Sequence, residues 1–452
     1  MGTDHGLQIG IADRNGSPVN RGLSPEFEFV KEQAGIREFR VRSNGLRVLL
    51  LRNTVAPVAT FCVVYHVGSR NEAVGHTGAT HLLEHLMFKG TPDFDRENGT
   101  AVAAVLEALG ARFNATTWFD RTNYYETIPS DRIETAIRIE ASRMRGAYLR
   151  DSDRVPEMTV VRNEYERGEN SPFQVLYKET FATAFREHPY HHPTIGWRAD
   201  IEGVTTARLK EFYDVFYHPN NATAMLIGDF EEADALAMIE RDFGRIPPSQ
   251  RPIPEVYTFE PPQQGERRFT VRRTAQVAWT ALSWRTVAAR HPDTPALAVL
   301  GNVLGGGLTA RLHLALVETS LALSVTVVPW QLRDPALFSV FAPVRPGVEP
   351  GIVEKTIRAE AARVAAEGVT EAEARKARTQ IEAEVIFERD STDQVAASLS
   401  EAIAVADWEW YADYPDLVRR VTTDDLRRVA ATYFVDDGLT CGLYLPKEPP
   451  AA

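Results

Sequence analysis

Cysteine is nearly absent from this 452-residue chain: Cys62 in "TFCVVYHV" and Cys441 in "LTCGLYLP" form no CxxC pair, so no disulfide framework is implied. Both lie in strand-like apolar runs and read as buried thiols. No apolar run approaches the roughly 20 residues that cross a bilayer, so membrane insertion is not expected. Lys/Arg-rich blocks are also missing and the net charge is -12, which argues against a nucleic-acid partner, because neutralising phosphates needs a concentrated basic surface. The first 25 residues hold no apolar stretch behind a basic start. No secretory signal is visible there, and a soluble protein of cytoplasm or periplasm is the expectation. Residues 1–34 read as a flexible arm.

What is present is the composition of a globular protein, 44% hydrophobic and 25% charged. The length exceeds one ordinary core and suggests more than one domain. Residues 244–265, "GRIPPSQRPIPEVYTFEPPQQG", carry six prolines and little apolar periodicity, which is linker composition. The flanking halves echo each other. "ETAIRIEASR" from residue 134 and "EKTIRAEAAR" from residue 354 agree at six of ten positions, and "VTTARL" at 204 pairs with "VTTDDL" at 421. Two matches at nearly equal offsets suggest a duplicated domain. Each half runs from strand-like segments through long helical patterns to a closing apolar strand, "ATAMLIGDF" or "LTCGLYLP". The reading is α+β: two homologous α/β-sandwich domains, each a sheet with helices on one face, spanning 35–243 and 266–448. Thr370 and Glu373 form a capping box for a helix in the second, and Gly368 suits the end of the helix before it.

The segment carrying chemistry is "HTGATHLLEHLMFKGT", residues 76–91. On a helix, His81 and His85 lie one turn apart on one face and can aim both imidazoles at one point, with Glu84 bordering that face. His-x-x-Glu-His thus offers two nitrogen ligands and a carboxylate beside the remaining metal positions. Alternatively, an isolated motif of this length is an apolar helix with packed histidines. A catalytic zinc needs a third protein ligand, and "VPEMTVVRNEYERGENSP" offers Glu157 and Glu164 on one helix face, unless that face is merely solvated. The histidine-dense loop "HPYHHPTIGW", with His188, His191 and His192, has only Glu187 nearby as a carboxylate and reads as structural.

"GSRNEAVGHTGATHLLEHLMFKGT" resembles the zinc segment of the pitrilysin/insulinase family of zinc peptidases, the inverzincins, in the branch that includes mitochondrial processing peptidase. "VVRNEYERGENSP" resembles the segment with the third ligand, and the likeness extends through "GARFNATTWFDRTNYYETIP", "HPYHHPTIGW" and "FYHPNNATAMLIGDF". The resemblance implies one zinc per chain held by His81, His85 and Glu164, Glu157 behind them, and Glu84 as general base for water attacking a peptide bond. It also implies that an extended peptide adds to the strand "RFNATTWF", with Asn114 and Ala115 at its backbone.

The second half departs from the pattern. Gly301, Leu304 and Gly305 stand opposite His81, Glu84 and His85, so a second metal site is excluded. Where complete family enzymes place an arginine and, seven residues on, a tyrosine, this chain has Val317 and Leu323, neither able to donate a hydrogen bond. The expectation is therefore an endopeptidase for short or unfolded peptides, the zinc-bearing subunit of a heterodimer whose homologous zinc-free partner supplies Arg and Tyr. Alternatives are a non-catalytic core subunit of the same fold and a self-sufficient homodimeric peptidase.

Overall fold

The computed structural model describes residues 24–447. In the first half the elements are β1 Phe27–Gln33, β2 Ile36–Val41, β3 Arg47–Arg52, β4 Val58–Tyr65, α1 Ala79–Leu86, α2 Val102–Ala108, β5 Arg112–Thr117, β6 Thr122–Pro129, α3 Ile133–Gly146, α4 Asp151–Glu169, α5 Pro172–Ala184, α6 Arg198–Gly203, α7 Thr206–Phe216, β7 Ala222–Gly228 and α8 Glu232–Phe243. The second half has β8 Arg267–Arg273, β9 Trp279–Arg285, α9 Thr294–Gly305, β10 Thr326–Pro329, β11 Leu337–Pro343, α10 Pro350–Glu367, α11 Glu371–Glu388, α12 Thr392–Val405, α13 Trp408–Arg419, α14 Thr423–Tyr433 and β12 Leu439–Pro446.

The first sheet is ordered β1-β2-β3-β7-β4-β6-β5 and the second β10-β11-β9-β12-β8. Reversing the second gives β8-β12-β9-β11-β10, which repeats β3-β7-β4-β6-β5 strand for strand, including the one parallel pair at the same place (β3 with β7, β8 with β12). The two sequence echoes fall on corresponding elements. "ETAIRIEASR" lies in α3 and "EKTIRAEAAR" in α10, while Thr205 and Thr422 are N-caps of α7 and α14, their side chains accepting from the backbone N–H groups of Arg208 and Asp425. The capping box of Thr370 and Glu373 opens α11, and Gly368, at φ 75, ends α10.

Both faces of each sheet are covered, and the strands show why. Along β4, Phe61, Val63 and Tyr65 enter a core with α1, α3, α7 and α8, while Cys62 and Val64 face the other way. That other face is covered by α12 and α13 of the second half, through Val395, Leu399, Ile403 and Trp408. The loan is mutual: α5 of the first half packs Leu176 and Phe181, with Phe185 just past its end, onto Ala281, Leu337 and Phe341 of the second sheet. A strand buried on both faces reads as a continuous apolar run, as β4 and β7 do.

The expected arm over residues 1–34 is corrected for its last part: Phe27–Gln33 pairs antiparallel with β2 and Phe27 is buried, so these residues extend the first sheet. Residues 1–23 lie outside the described residues. No helix among the described residues is long and apolar enough to cross a membrane.

Candidate active site

Helix α1 starts where its backbone is held rather than where a side chain caps it. Gly78 takes φ 85, and a Cβ there would lie 2.4 Å from the Ile195 carbonyl oxygen, so only glycine fits. The orphan N–H groups of this first turn go to Glu72, whose carboxylate accepts from Gly78 N at 2.8 Å and Thr80 N at 2.7 Å. Leu82, Leu83 and Leu86 bury one face of α1, leaving His81, Glu84 and His85 toward α4 and the end of β5.

Nε2 of His81 lies 3.7 Å from Glu164 Oε2, and Nε2 of His85 lies 3.8 Å from the same oxygen. These three ligand atoms fall within 4.8 Å of one another. Two nitrogens and a carboxylate oxygen are a zinc donor set, and a tetrahedral ion with bonds near 2.0–2.2 Å holds its ligand atoms roughly 3.3–3.5 Å apart, so the cluster fits with a small contraction. His85 Nδ1 is engaged by Glu157 Oε1 at 2.8 Å, which directs Nε2 at the cluster, and Lys89 Nζ meets the other Glu157 oxygen at 2.5 Å. His81 Nδ1 is buried without a partner.

Burial holds His81 down at about 3, with His85 adding to the effect, so its imidazole is neutral and able to ligate. Burial also pulls on His85, but the Glu157 hydrogen bond and the charges of Glu84, Glu157 and Glu164 together raise it. Burial raises Glu84, opposed by a hydrogen bond that Thr117 Oγ1 donates to its Oε2 at 2.6 Å. A carboxylate lifted by desolvation beside a metal-type cluster suits a general base.

Strand β5 is the outer strand of its sheet, so one side of its backbone is unpaired, and it runs along α1. Asn114 is exposed on it while Ala115 is buried. A cavity of about 510 Å³ adjoins the cluster, lined by His81, Thr117, Trp118, Glu164, Tyr165 and Tyr177 among others. The loop histidines do not converge. His188 Nε2 bonds Asp334 at 3.1 Å, its Nδ1 accepts from the Tyr190 amide, and His192 Nδ1 turns to the Pro193 carbonyl. The other convergent group among the described residues, Glu266, Glu354 and Cys441, has its carboxylates ion-paired with Arg268 and Arg358.

Glu72 and Thr117 were not legible as site residues. Thr117 had one available signal: it shares strand parity with Phe113 and Ala115, so a polar side chain stands where an apolar one is expected. Glu72 offered none, since an acid in a glycine-rich loop is ordinarily exposed.

The duplicated fold and this cleft define the class of protein. Residues 47–197 match the insulinase family, peptidase family M16, and residues 203–381 match the peptidase M16 inactive domain. The chain belongs to this family. It is 31% identical over 404 residues to the zinc protease PqqE of Helicobacter pylori, covering 87% of this chain and 89% of the relative. A crystal structure of a protease from Helicobacter pylori superposes with TM-score 0.88 at 28% identity, over 92% of this chain and 100% of that one. The probable mitochondrial-processing peptidase subunit beta of Schizosaccharomyces pombe is 25% identical, covering 87% of this chain and 88% of the relative.

Proposed function

We propose that the chain is a zinc-dependent endopeptidase for short or unfolded peptides, with one zinc held by His81, His85 and Glu164. The observation that carries this is the convergence of those three ligand atoms beside Glu84 and the open edge of β5. When bound, zinc would supply Lewis acidity, lowering the pKa of a water toward about 7 and polarising a carbonyl. The rest is work for the chain's own residues. Glu157 fixes the ring of His85. The edge of β5 at Asn114 and Ala115 receives the peptide as an added strand. Glu84 takes the proton of the attacking water on its carboxylate and returns it to the leaving amine.

The heterodimer reading rests on Val317 and Leu323, which stand at the positions where, by the resemblance, complete family enzymes carry an arginine and a tyrosine; neither side chain can donate a hydrogen bond to a developing oxyanion. A homologous zinc-free subunit would supply Arg and Tyr. The match to the M16 inactive domain favours a second reading, a non-catalytic core subunit, yet it covers 203–381, outside the cluster. Soluble placement in cytoplasm or periplasm remains part of the proposal. The test is zinc content and peptide cleavage of wild type and Glu84→Gln, with and without the homologous subunit. Glu84→Gln is expected to keep its zinc and lose at least about a hundredfold in rate. Near-normal turnover of that variant, or no turnover by zinc-loaded wild type with its partner, sinks the proposal.

A further inference from the structure

Strand β5 does more than offer an edge. Its last residue, Thr117, donates a hydrogen bond from Oγ1 to Glu84 Oε2 at 2.6 Å, and the direction is fixed because a carboxylate only accepts. Phe113, Ala115 and Thr117 share one face of β5; Ala115 is buried in the core of the first half and Phe113 packs beside Phe88, their rings tilted by 38°, so the strand seats this face on the α1 layer. Threonine is β-branched and stiff at χ1, which makes its hydroxyl a donor of fixed aim. The strand end is held from both sides. Arg121 Nη1 donates to the Thr116 carbonyl at 2.8 Å, and the same guanidinium donates through Nε to Glu401 Oε1 on α12 at 3.0 Å, a contact from the opposite half. On the other flank Ser69 N and Arg70 N donate to the carbonyls of Trp118 and Phe119 at 3.0 Å each. Gly68 makes that approach feasible, since a Cβ there would lie 2.3 Å from the Trp118 oxygen.

We infer that Thr117 is the positioning residue of the general base: it grips one oxygen of Glu84 so that the other faces the attacking water, and thereby ties the base to the strand that receives the peptide. This rests on the reading of Glu84 as base. The free oxygen makes no hydrogen bond among the described residues, which leaves it available for proton transfer. A base held in one orientation raises the rate of the chemical step without altering how tightly the peptide is bound, so the effect belongs in kcat.

The experiment uses the full zinc-loaded chain with its homologous subunit and an internally quenched decapeptide. Thr117→Val keeps the shape and removes the donor; Thr117→Ser restores it. The expected result is wild-type zinc content in both. Thr117→Val should lose about ten- to a hundredfold in kcat with KM within about twofold, and Thr117→Ser should recover to within about threefold of wild type. In the Glu84→Gln background, Thr117→Val should add less than about twofold, since a residue acting through Glu84 has nothing left to position. Independently of activity, a crystal structure of Thr117→Val should show the Glu84 carboxylate turned from its wild-type orientation. A wild-type kcat for Thr117→Val, no rescue by serine, full additivity with Glu84→Gln, or an unmoved carboxylate overturns the inference. If Glu84→Gln loses its rate and Thr117→Val does not, only the role of Thr117 fails; if Glu84→Gln itself is near normal, the base assignment fails first.

Discussion

The two halves each carry an open cavity of about 510 Å³, and the two are framed by corresponding elements. In the first, α1 brings His81, α4 brings Glu164 and the end of β5 closes one side. In the second, α9 brings Gly301 and Gly305, α11 brings Glu384 and the edge strand β10 brings Val327 and Pro329. The carboxylate on the long helix is thus present twice, while the imidazoles are present once. At Gly301 an added Cβ would lie 2.9 Å from the Pro329 ring, and at Gly305 2.5 Å from Val327 Cγ2. Helix α9 therefore leans on its edge strand at the positions where α1 holds its histidines out. One scaffold serves both outcomes, and the difference lies in what occupies two helix positions and how close the neighbouring strand stands.

The same contrast recurs in the repeated decapeptides. Arg143 on α3 is fully buried, pairs with Glu126 at 2.8 Å and with Glu140, and lies over the rings of Tyr124 and Phe88. Its counterpart Arg363 pairs with Glu360 at 2.6 Å on the surface of α10, with its own side chain 49% exposed. Removing one partner of a buried cluster strands the remaining charges in low dielectric, so Arg143→Met should cost about 3–5 kcal/mol. Arg363→Met should cost less than about 1 kcal/mol. Denaturant midpoints of the two variants check this, and equal losses would mean that the halves do not differ in the way their burial indicates.

How much of this was legible follows the range of the interactions. The α1 site lies within five residues, and one helix turn dictates that His81 and His85 share a face, so the geometry is local. Glu157 and Glu164 come from another segment, yet their spacing sets them on one face of α4. The duplication was visible because the repeats kept helix-cap threonines and an i,i+3 charge pair. The exchange of α5 and α12 was not, because a helix that covers a neighbour's sheet has the same amphipathic pattern as one that covers its own. β1 was missed because "FEFVKEQ" loses its apolar alternation after Val30, and an outer strand such as this one buries only one side chain, Phe27. Thr117 needed tertiary contact, since nothing in the sequence links it to a glutamate 33 positions earlier.

A second test concerns the loop that only the first half has. Residues 185–197 join α5 to α6, where residues 406–407 suffice between α12 and α13. His192 in that loop is buried, and burial pushes it down to about 4; His191 and His188 act in the same direction, against the Pro193 hydrogen bond and Asp200. Its Nδ1 also lies 3.7 Å from Glu72, the carboxylate that holds the start of α1. A histidine neutral in the fold and ordinary when unfolded contributes stability that is present above its unfolded value of 6.5 and is lost as pH falls toward 4. At pH 5 the loss is about 2 kcal/mol, of which His192→Gln should relieve most. Metal-free protein is the material to use, so that protonation of His81 and His85 does not enter through release of the proposed zinc. Identical pH dependence of wild type and variant would remove His192 as the source.

The smallest expected effect puts the same side chain at corresponding positions of the two helices. His85→Ala in α1 removes an imidazole from an open cleft, so its expected cost is the metal rather than the fold. Gly305→Ala in α9 adds one methyl group where Val327 already stands 2.5 Å away, and φ there is not positive, so backbone strain plays no part. Against the clash stands a gain of helix propensity of roughly 1 kcal/mol for alanine over glycine, smaller here because Gly305 is the last helical residue. Overpacking costs typically about 1–3 kcal/mol, so the clash should win by about 1 kcal/mol, read as a lowered denaturant midpoint with activity and zinc unchanged. If Gly305→Ala instead matched or exceeded wild-type stability, α9 would have room to move off β10. The glycines would then record only the absence of histidines, and the close seating of helix on strand would not be what separates the silent cavity from the proposed zinc site.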